Sequence, residues 1–174
     1  MKARILVWLV ALFCCHNVLF AQKEFVNASA RLSGHPRILL QKGEEKALKK
    51  VIMKDAVWKD IHQSLVDEAG EIVKLPLNER IKTGRRLLSV SRENLRRIFI
   101  LSYAYRMTGK NEFLKRAESE MLKAASFSDW NPSHFLDVGE MTMALAIGYD
   151  WLYPQLSVQT KKEIENAIVE KGLK

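Results

Sequence analysis

The sequence predicts an all-α fold, and three observations lead to that prediction. Glycine and proline are sparse, with 8 and 4 occurrences in 174 residues. No stretch alternates apolar and polar residues as a half-buried strand does. Apolar residues recur instead at helical spacing along most of the chain. We expect a signal peptide over residues 1–21, an extended lead-in over 22–41 and a helical domain over 42–174.

The first residues are typical of an exported protein. Lys2 and Arg4 precede an apolar run over residues 5–15, and the small residue Ala21 follows, which is the pattern of a signal peptide. The alternative is a membrane-spanning helix. A run of about eleven apolar residues is shorter than the roughly 20 that cross a bilayer, so no stable membrane insertion is expected after cleavage. We expect a bacterial protein that is periplasmic or secreted.

Metal and cofactor chemistry finds little support in the sequence. Both cysteines, Cys14 and Cys15, lie in the predicted signal peptide, so the remaining chain has no disulfide or thiolate. The histidines at positions 35, 62 and 134 have no second ligand at metal-binding spacing. No Gly-rich phosphate loop is present. The sequence therefore predicts neither a metal nor a cofactor.

The basic composition points to an acidic partner. The formal net charge of +8 falls to +6 when Lys2 and Arg4 are removed with the signal peptide. A positive surface favours acidic partners. Nucleic acid is not expected, because an exported protein seldom meets it and no binding motif is present, so acidic polysaccharide is the predicted partner. The alternative is that pairs such as Arg85–Arg86 and Lys161–Lys162 only solvate outer helix faces.

We expect six helices after the lead-in, from apolar residues at helical spacing between helix-stopping residues. Their predicted spans are 42–53, 56–73, 91–108, 113–126, 133–153 and 158–173. Ser91 and Ser157 are predicted to cap the third and sixth helices, and Gly109 and Pro154 to end the third and fifth. The third and fifth helices are apolar around much of their circumference, whereas the fourth and sixth are apolar on one side.

The last four helices form two hairpins related by a weak repeat. Leu101 and Tyr105 correspond to Leu145 and Tyr149 at a spacing of 44 residues. A buried inner helix paired with a half-exposed outer helix is the repeating unit of helical toroids and solenoids. A closed toroid needs more units than these. The sequence thus predicts helical hairpins that form an incomplete α/α toroid.

Three stretches carry a resemblance to a known family. They are HPRILL at 35–40, SRENLRRIFILSYAYRMTG at 91–109, and WNPSHFLD with ALAIGYDWLYPQLS at 130–137 and 144–157. Around these stretches the chain resembles the N-terminal part of the heparinase II/III-like polysaccharide lyases. The resemblance implies an α/α toroid that works with a later β-sandwich. It also implies degradation of acidic polysaccharides such as glycosaminoglycans or alginate by β-elimination.

The same resemblance implies that the catalytic groups lie elsewhere. In β-elimination a base removes the C5 proton of a uronate, the uronate carboxylate is neutralised, and an acid protonates the leaving oxygen. Members of the family use Asn or His with Glu for the carboxylate, and Tyr with His for the proton transfers. These residues are expected after Lys174, so no catalytic residue is assigned here. We expect an inactive N-terminal fragment, and the ending KGLK within a repeat favours a cut gene model.

Three candidate substrate-binding residues precede the fifth helix. Trp130, Asn131 and His134 stand at its N-terminal approach, where free N–H groups and a partial positive charge suit a uronate carboxylate. The alternative is structural for each of them. Trp130 would pack as a lid on the hairpin, Asn131 would form a turn beside a proline, and His134 would hydrogen-bond locally.

Two further candidates lie within that helix. Glu140 follows Asp137 by three residues, a spacing that can pair two carboxylates as in a glycosidase. Ion pairing or favourable placement in the first helical turns is the alternative. Tyr149 lies near the other end, where an aromatic ring can stack on a sugar or be buried with a hydrogen bond. Both are predicted as substrate-binding residues.

Two other functions stay open at the level of sequence. One is a non-catalytic helical-repeat module that binds glycan or protein, which explains the repeat and the charge without catalytic residues. The other is an α/α-toroid glycoside hydrolase, which needs an acid pair on either side of a glycosidic bond. Glu140 is its best candidate acid.

Overall fold

The computed structural model describes residues 34–174, so the predicted signal peptide and lead-in residues 22–33 lie outside the described residues. The described chain contains six α-helices and no β-strand, which confirms the all-α prediction. The helices are α1 (Glu45–Lys54), α2 (Ala56–Lys74), α3 (Leu88–Thr108), α4 (Asn111–Ala125), α5 (Phe135–Leu152) and α6 (Val158–Ala167). A π-helical segment, Ile168–Leu173, follows α6. None of the described helices is long and apolar enough to cross a membrane.

Two of the predicted helix ends are confirmed, and one predicted cap is wrong. Ser157 caps α6, because its Oγ accepts the Thr160 N–H at 3.0 Å. Gly109 ends α3 in the left-handed conformation, at φ +74°. Ser91 does not cap α3, which begins one turn earlier at Leu88. The amide of Leu87, just before the helix, instead donates to the Asp137 carboxylate of α5 at 2.7 Å.

The inner helices α3 and α5 pack side by side and run in the same direction. Ser91 contacts Glu140, Asn94 contacts Met141, and the ring of Phe99 packs at a tilt against Trp151, so the contacts advance together along both helices. α4 packs against both inner helices, and α6 packs against α4. The described chain therefore contains two hairpins with inner and outer members.

The predicted repeat occupies matching environments in the two hairpins. Leu101 and Leu145 are both fully buried, and Tyr105 and Tyr149 are both partly buried. The expectation that α5 is buried all round holds only in part. Phe135 is 83% exposed and Met143 is 50% exposed, since within the described residues no further helix covers that side of α5.

A close approach between helices occurs at Gly148. A Cβ at this position would lie 2.5 Å from Met121 Sδ and 2.6 Å from Ile98 Cγ2. Real Cβ atoms do not approach side-chain atoms so closely. The absent side chain of Gly148 thus lets α5 pack directly against α3 and α4.

We predict that Gly148→Ala destabilises the fold while Gly139→Ala stabilises it. The first change overpacks the core and should lower the free energy of unfolding by about 1–3 kcal/mol. The second lies on the same helix with no atom within 4 Å of the new Cβ, so only the gain in helix propensity of up to about 1 kcal/mol applies. Urea denaturation measures both. Equal effects of the two changes would contradict close packing at Gly148.

A buried ionic cluster ties the segment after α2 to the hairpin α3–α4. Glu120 is fully buried, and its Oε1 accepts from Arg97 at 3.0 Å and from Arg116 at 2.7 Å. Both guanidinium groups also donate to the Pro76 carbonyl, at 2.7 Å and 3.1 Å. The two arginines therefore hold the backbone of an irregular segment against α3 and α4.

We predict that Glu120→Gln costs about 3 kcal/mol of unfolding free energy. It removes the carboxylate paired with the poorly solvated Arg116 and leaves Arg97 with Glu93 as its remaining charge partner. Glu163→Gln is the matched control, since Glu163 is exposed and, among residues 34–174, its side chain accepts only from Gln159. Chemical denaturation of both variants checks the difference. A loss of less than about 1 kcal/mol for Glu120→Gln, the range of exposed ion pairs, would show that the cluster does not hold the fold.

Candidate functional site

The N-terminal end of α5 is organised around the buried carboxylate of Asp137. Its Oδ2 accepts from the Leu87 amide at 2.7 Å and from Asn131 Nδ2 at 2.6 Å. Its Oδ1 lies 2.9 Å from His134 Nδ1. Because Asp137 is fully buried, neither of its oxygens is open to a ligand. It acts here as the group that orients its neighbours.

Asn131 and Trp130 lie inside the protein. Asn131 is 2% exposed with φ +61°, and its Nδ2 also donates to the Arg85 carbonyl at 2.9 Å. Asn tolerates this left-handed conformation better than most residues. Trp130 is fully buried, and its Nε1 donates to the Ala124 carbonyl at 3.0 Å. Both side chains are buried, which agrees with their structural alternatives: a turn for Asn131 and packing for Trp130.

His134 is the sequence-predicted residue at this end that reaches solvent. Its side chain is 28% exposed. Burial alone would raise the pKa of Asp137, but hydrogen bonds from Asn131, the Leu87 amide and His134 outweigh burial and lower that pKa. Asp137 is therefore ionised at neutral pH and acts only as an acceptor, so Nδ1 of His134 carries the proton. Nε2 of His134 has no protein hydrogen bond among residues 34–174 and is left for a ligand.

Three cations lie on the loop that Asn131 and Asp137 hold. Lys82, Arg85 and Arg86 are exposed, and none of them forms a salt bridge within the part of the chain that the structure describes. We call residues 82–86 the cationic loop. Its turn is closed by paired backbone hydrogen bonds between Thr83 and Arg86, at 2.9 Å and 3.2 Å. For Arg85 and Arg86, the alternative from the sequence is that they solvate an outer helix face. No residue near them in the sequence indicates that the loop is hydrogen-bonded to the residues around the start of α5.

Glu140 is held by other protein groups. Its Oε2 accepts from Ser91 Oγ at 2.9 Å and its Oε1 from Arg92 Nε at 3.1 Å, and its side chain is 15% exposed. The structure thus shows the ion pairing that was the alternative to a substrate-binding role. With Asp137 buried and fully engaged, the two carboxylates do not form an open acid pair.

Tyr149, the last sequence-predicted residue, lies near the other end of α5. Its hydroxyl contacts the Glu165 carboxylate, and its ring meets those of His35 and Tyr153 edge to face, at centroid distances of 5.8 Å and 5.3 Å. Burial and the neighbouring Glu165 raise the pKa of Tyr149. It is therefore far from His134 along the helix and belongs to a different cluster.

That second cluster anchors the HPRILL segment, and the residue responsible is Asp150. This buried carboxylate lies 2.5 Å from His35 Nδ1 and accepts the amides of Arg37 and Ile38 at 2.8 Å and 2.9 Å. Trp151 Nε1 donates to the Ile38 carbonyl at 2.8 Å. Two of the stretches that carry the family resemblance therefore contact each other. Asp150 was not predicted to have this role, because its partners lie more than 110 residues away.

We predict that Asp137→Asn lowers the free energy of unfolding by about 2 kcal/mol at neutral pH, the range of a hydrogen bond to a charged group. The folded-state pKa of Asp137 lies below its ordinary value of 3.8. Its ionised form therefore stabilises the fold above that value, and this contribution is lost as the pH falls through the folded-state pKa. The difference from wild type should shrink below about pH 4, whereas the exposed Asp60→Asn should show none. A difference that is independent of pH, measured by urea denaturation, would contradict this role.

Comparison with known proteins adds no family assignment. No protein-family model matches the chain, and no curated protein is significantly similar to it. The resemblance to the heparinase II/III-like lyases therefore stays a prediction from the residues that carry it.

Proposed function

We propose that this chain is the N-terminal α/α part of an exported lyase that cleaves uronate-containing acidic polysaccharide by β-elimination. In this proposal His134 and the cationic loop form one edge of the substrate cleft. The chain itself supplies binding groups and no assigned catalytic residue. The observation that carries the proposal is the tethering of three cations beside the partly exposed His134, at one end of the inner helix α5. None of the three forms a salt bridge with another residue of 34–174.

The chemistry of this edge suits a chain of carboxylates or sulfates. Arginine forks bind such groups through two parallel N–H donors, and Arg85 and Arg86 have no carboxylate of the protein to compete for them within residues 34–174. His134 adds a ring nitrogen, Nε2, that can accept a hydrogen bond from a sugar hydroxyl in a fixed orientation. Since a polysaccharide repeats its anionic groups, several cations on one loop can bind at once.

A rigid backbone makes the cationic loop a better binding edge than free surface cations would be. The Arg85 carbonyl and the Leu87 amide bond to the buried side chains of Asn131 and Asp137. The loop backbone is thus fixed before a ligand arrives, and less conformational entropy is lost on binding. In this preorganisation the cationic loop differs from lysines that project from outer helix faces.

The non-catalytic binding module remains the second candidate, because the same edge binds anions without any chemistry. The two proposals agree on the ligand and differ on the longer protein, which is a lyase only in the first. The glycoside hydrolase proposal is weaker, since Asp137 and Glu140 are both engaged by other protein groups.

We predict that the chain binds heparin and alginate and does not bind a neutral glucan of equal length. The triple variant Lys82→Gln/Arg85→Gln/Arg86→Gln should bind about tenfold more weakly, because each exposed ion pair contributes about 0.5 kcal/mol and 1.4 kcal/mol corresponds to a factor of ten. His134→Gln should also weaken binding. Isothermal titration calorimetry at low salt measures these affinities.

The control for this experiment removes the same charge elsewhere. Lys110→Gln/Lys115→Gln/Lys162→Gln changes three exposed cations, one just before α4, one in α4 and one in α6. We expect its affinity to stay within about twofold of wild type, since scattered surface charges act only through the screened long-range field. An equal loss in both triple variants would show that net charge, and not the cationic loop, attracts the polysaccharide. Equal binding of the neutral glucan would overturn the proposed function.

A further inference from the structure

The last turn of α1 and the first two turns of α2 carry the densest run of exposed apolar side chains in residues 34–174. The exposed fractions are 42% for Val51, 77% for Met53, 66% for Val57, 47% for Trp58 and 47% for Ile61. Val57 and Ile61 are one helical turn apart and share a face of α2, as do Trp58 and Ile61. We call residues 46–61 the α1–α2 tip.

Unpaired lysines surround these apolar side chains. The five lysines of the tip are all exposed, and none forms a salt bridge with another described residue. They are Lys46, Lys49, Lys50, Lys54 and Lys59. Only two carboxylates, Asp55 and Asp60, oppose them, and Asp55 is engaged in capping α2 through the amides of Val57 and Trp58 at 2.8 Å and 3.2 Å. The tip is therefore both basic and apolar.

The exposed face of the tip is not used to hold the described fold together. Ile52 is the one buried residue of α1, and α2 is anchored through its second half by the buried Ala69 and Ile72. An ion pair between Glu68 and Arg96 adds to that anchor. The first half of α2 thus projects apolar side chains that the rest of the described chain leaves exposed, and exposed apolar patches mark interaction surfaces.

We propose that the α1–α2 tip docks on an anionic lipid surface. Its lysines would bind the headgroup anions, while Met53, Val57, Trp58 and Ile61 enter the boundary between headgroups and acyl chains. Lysine-rich amphipathic helices with tryptophan on the apolar side lie in this interface without crossing the bilayer. Tryptophan is favoured at that depth, because its ring is apolar and its N–H is polar.

A lipid surface fits the tip better than the acidic polysaccharide of the cationic loop does. A polysaccharide presents hydroxyl groups along with its anions, and the aliphatic side chains of Val57, Met53 and Ile61 can neither hydrogen-bond nor stack on sugar rings. An anionic bilayer presents negative charge and hydrocarbon together. The tip and the cationic loop are separate surfaces, so this inference does not rest on the proposed function.

Quenching of Trp58 fluorescence by brominated lipid tests the proposal in the full chain. Trp130 and Trp151 are 0% and 4% exposed, and a Trp8→Phe background removes the remaining tryptophan. We expect quenching by vesicles of equal parts phosphatidylglycerol and brominated phosphatidylcholine, and little by brominated phosphatidylcholine alone. The apolar run at residues 5–15 is the same in every variant, so the differences between variants report on the tip itself.

Matched variants separate the tip from general charge and hydrophobicity. Lys49→Gln/Lys50→Gln/Lys54→Gln should weaken vesicle binding by about a hundredfold, given about 1 kcal/mol per lysine near an anionic surface and a factor of ten per 1.4 kcal/mol. Lys110→Gln/Lys115→Gln/Lys162→Gln should leave vesicle binding nearly unchanged. Val57→Ser should weaken binding, whereas Val158→Ser, at a position 84% exposed, should leave it unchanged. Absence of Trp58 quenching on anionic vesicles, or equal losses in the matched variants, would overturn the proposal. Unchanged far-UV circular dichroism confirms that each variant is folded.

Discussion

Hydrogen bonds to buried carboxylates hold the irregular segments of this chain in place. Asp150 binds two backbone amides of the HPRILL segment, and Asp137 binds the amide of Leu87. Glu120 accepts from the arginines that donate to the backbone of the segment after α2. Each carboxylate lies on a helix of the two hairpins and is at most 1% exposed. An ionised group in such surroundings is tolerated only when its oxygens are fully hydrogen-bonded, and here backbone and side-chain donors provide those bonds.

The packing of the two hairpins makes these anchors possible. α3 and α5 lie in parallel contact, and the absence of a side chain at Gly148 lets Met121 and Ile98 reach the α5 backbone. The parallel arrangement brings the N-terminal ends of both inner helices together, so that Asp137 of α5 can bind the residue before α3. The free amide at the start of a helix is usually bonded by a side chain of the same helix. Here the bonding side chain belongs to the neighbouring helix.

Two surfaces of the described fold are proposed to bind ligands. At one end of α5, the tethered cationic loop is proposed to donate to the anions of an acidic polysaccharide, and Nε2 of His134 to accept from a sugar hydroxyl. At the α1–α2 tip, lysines surround apolar side chains that the described fold leaves exposed. A protein with both surfaces would hold an anionic polymer while resting on an anionic membrane. The basic residues of these two surfaces therefore lie in different chemical surroundings, one polar and one apolar.

The sequence by itself determined the helices. The spacing of apolar residues, the helix-ending glycine and proline, and the cap Ser157 all act on backbone groups that are close to them in the sequence. It also predicted which helices are the buried inner members and which are the half-exposed outer ones. An outer helix has apolar residues on one face, whereas an inner helix has them around most of its circumference. Tertiary structure alone decided the site. Trp130 and Asn131 are turned inward, His134 is oriented by Asp137, and Arg85 is brought beside it by a bond from Asn131 across 46 residues. Such contacts join groups that are distant in sequence, and only the packing of α3 against α5 brings them within hydrogen-bonding distance.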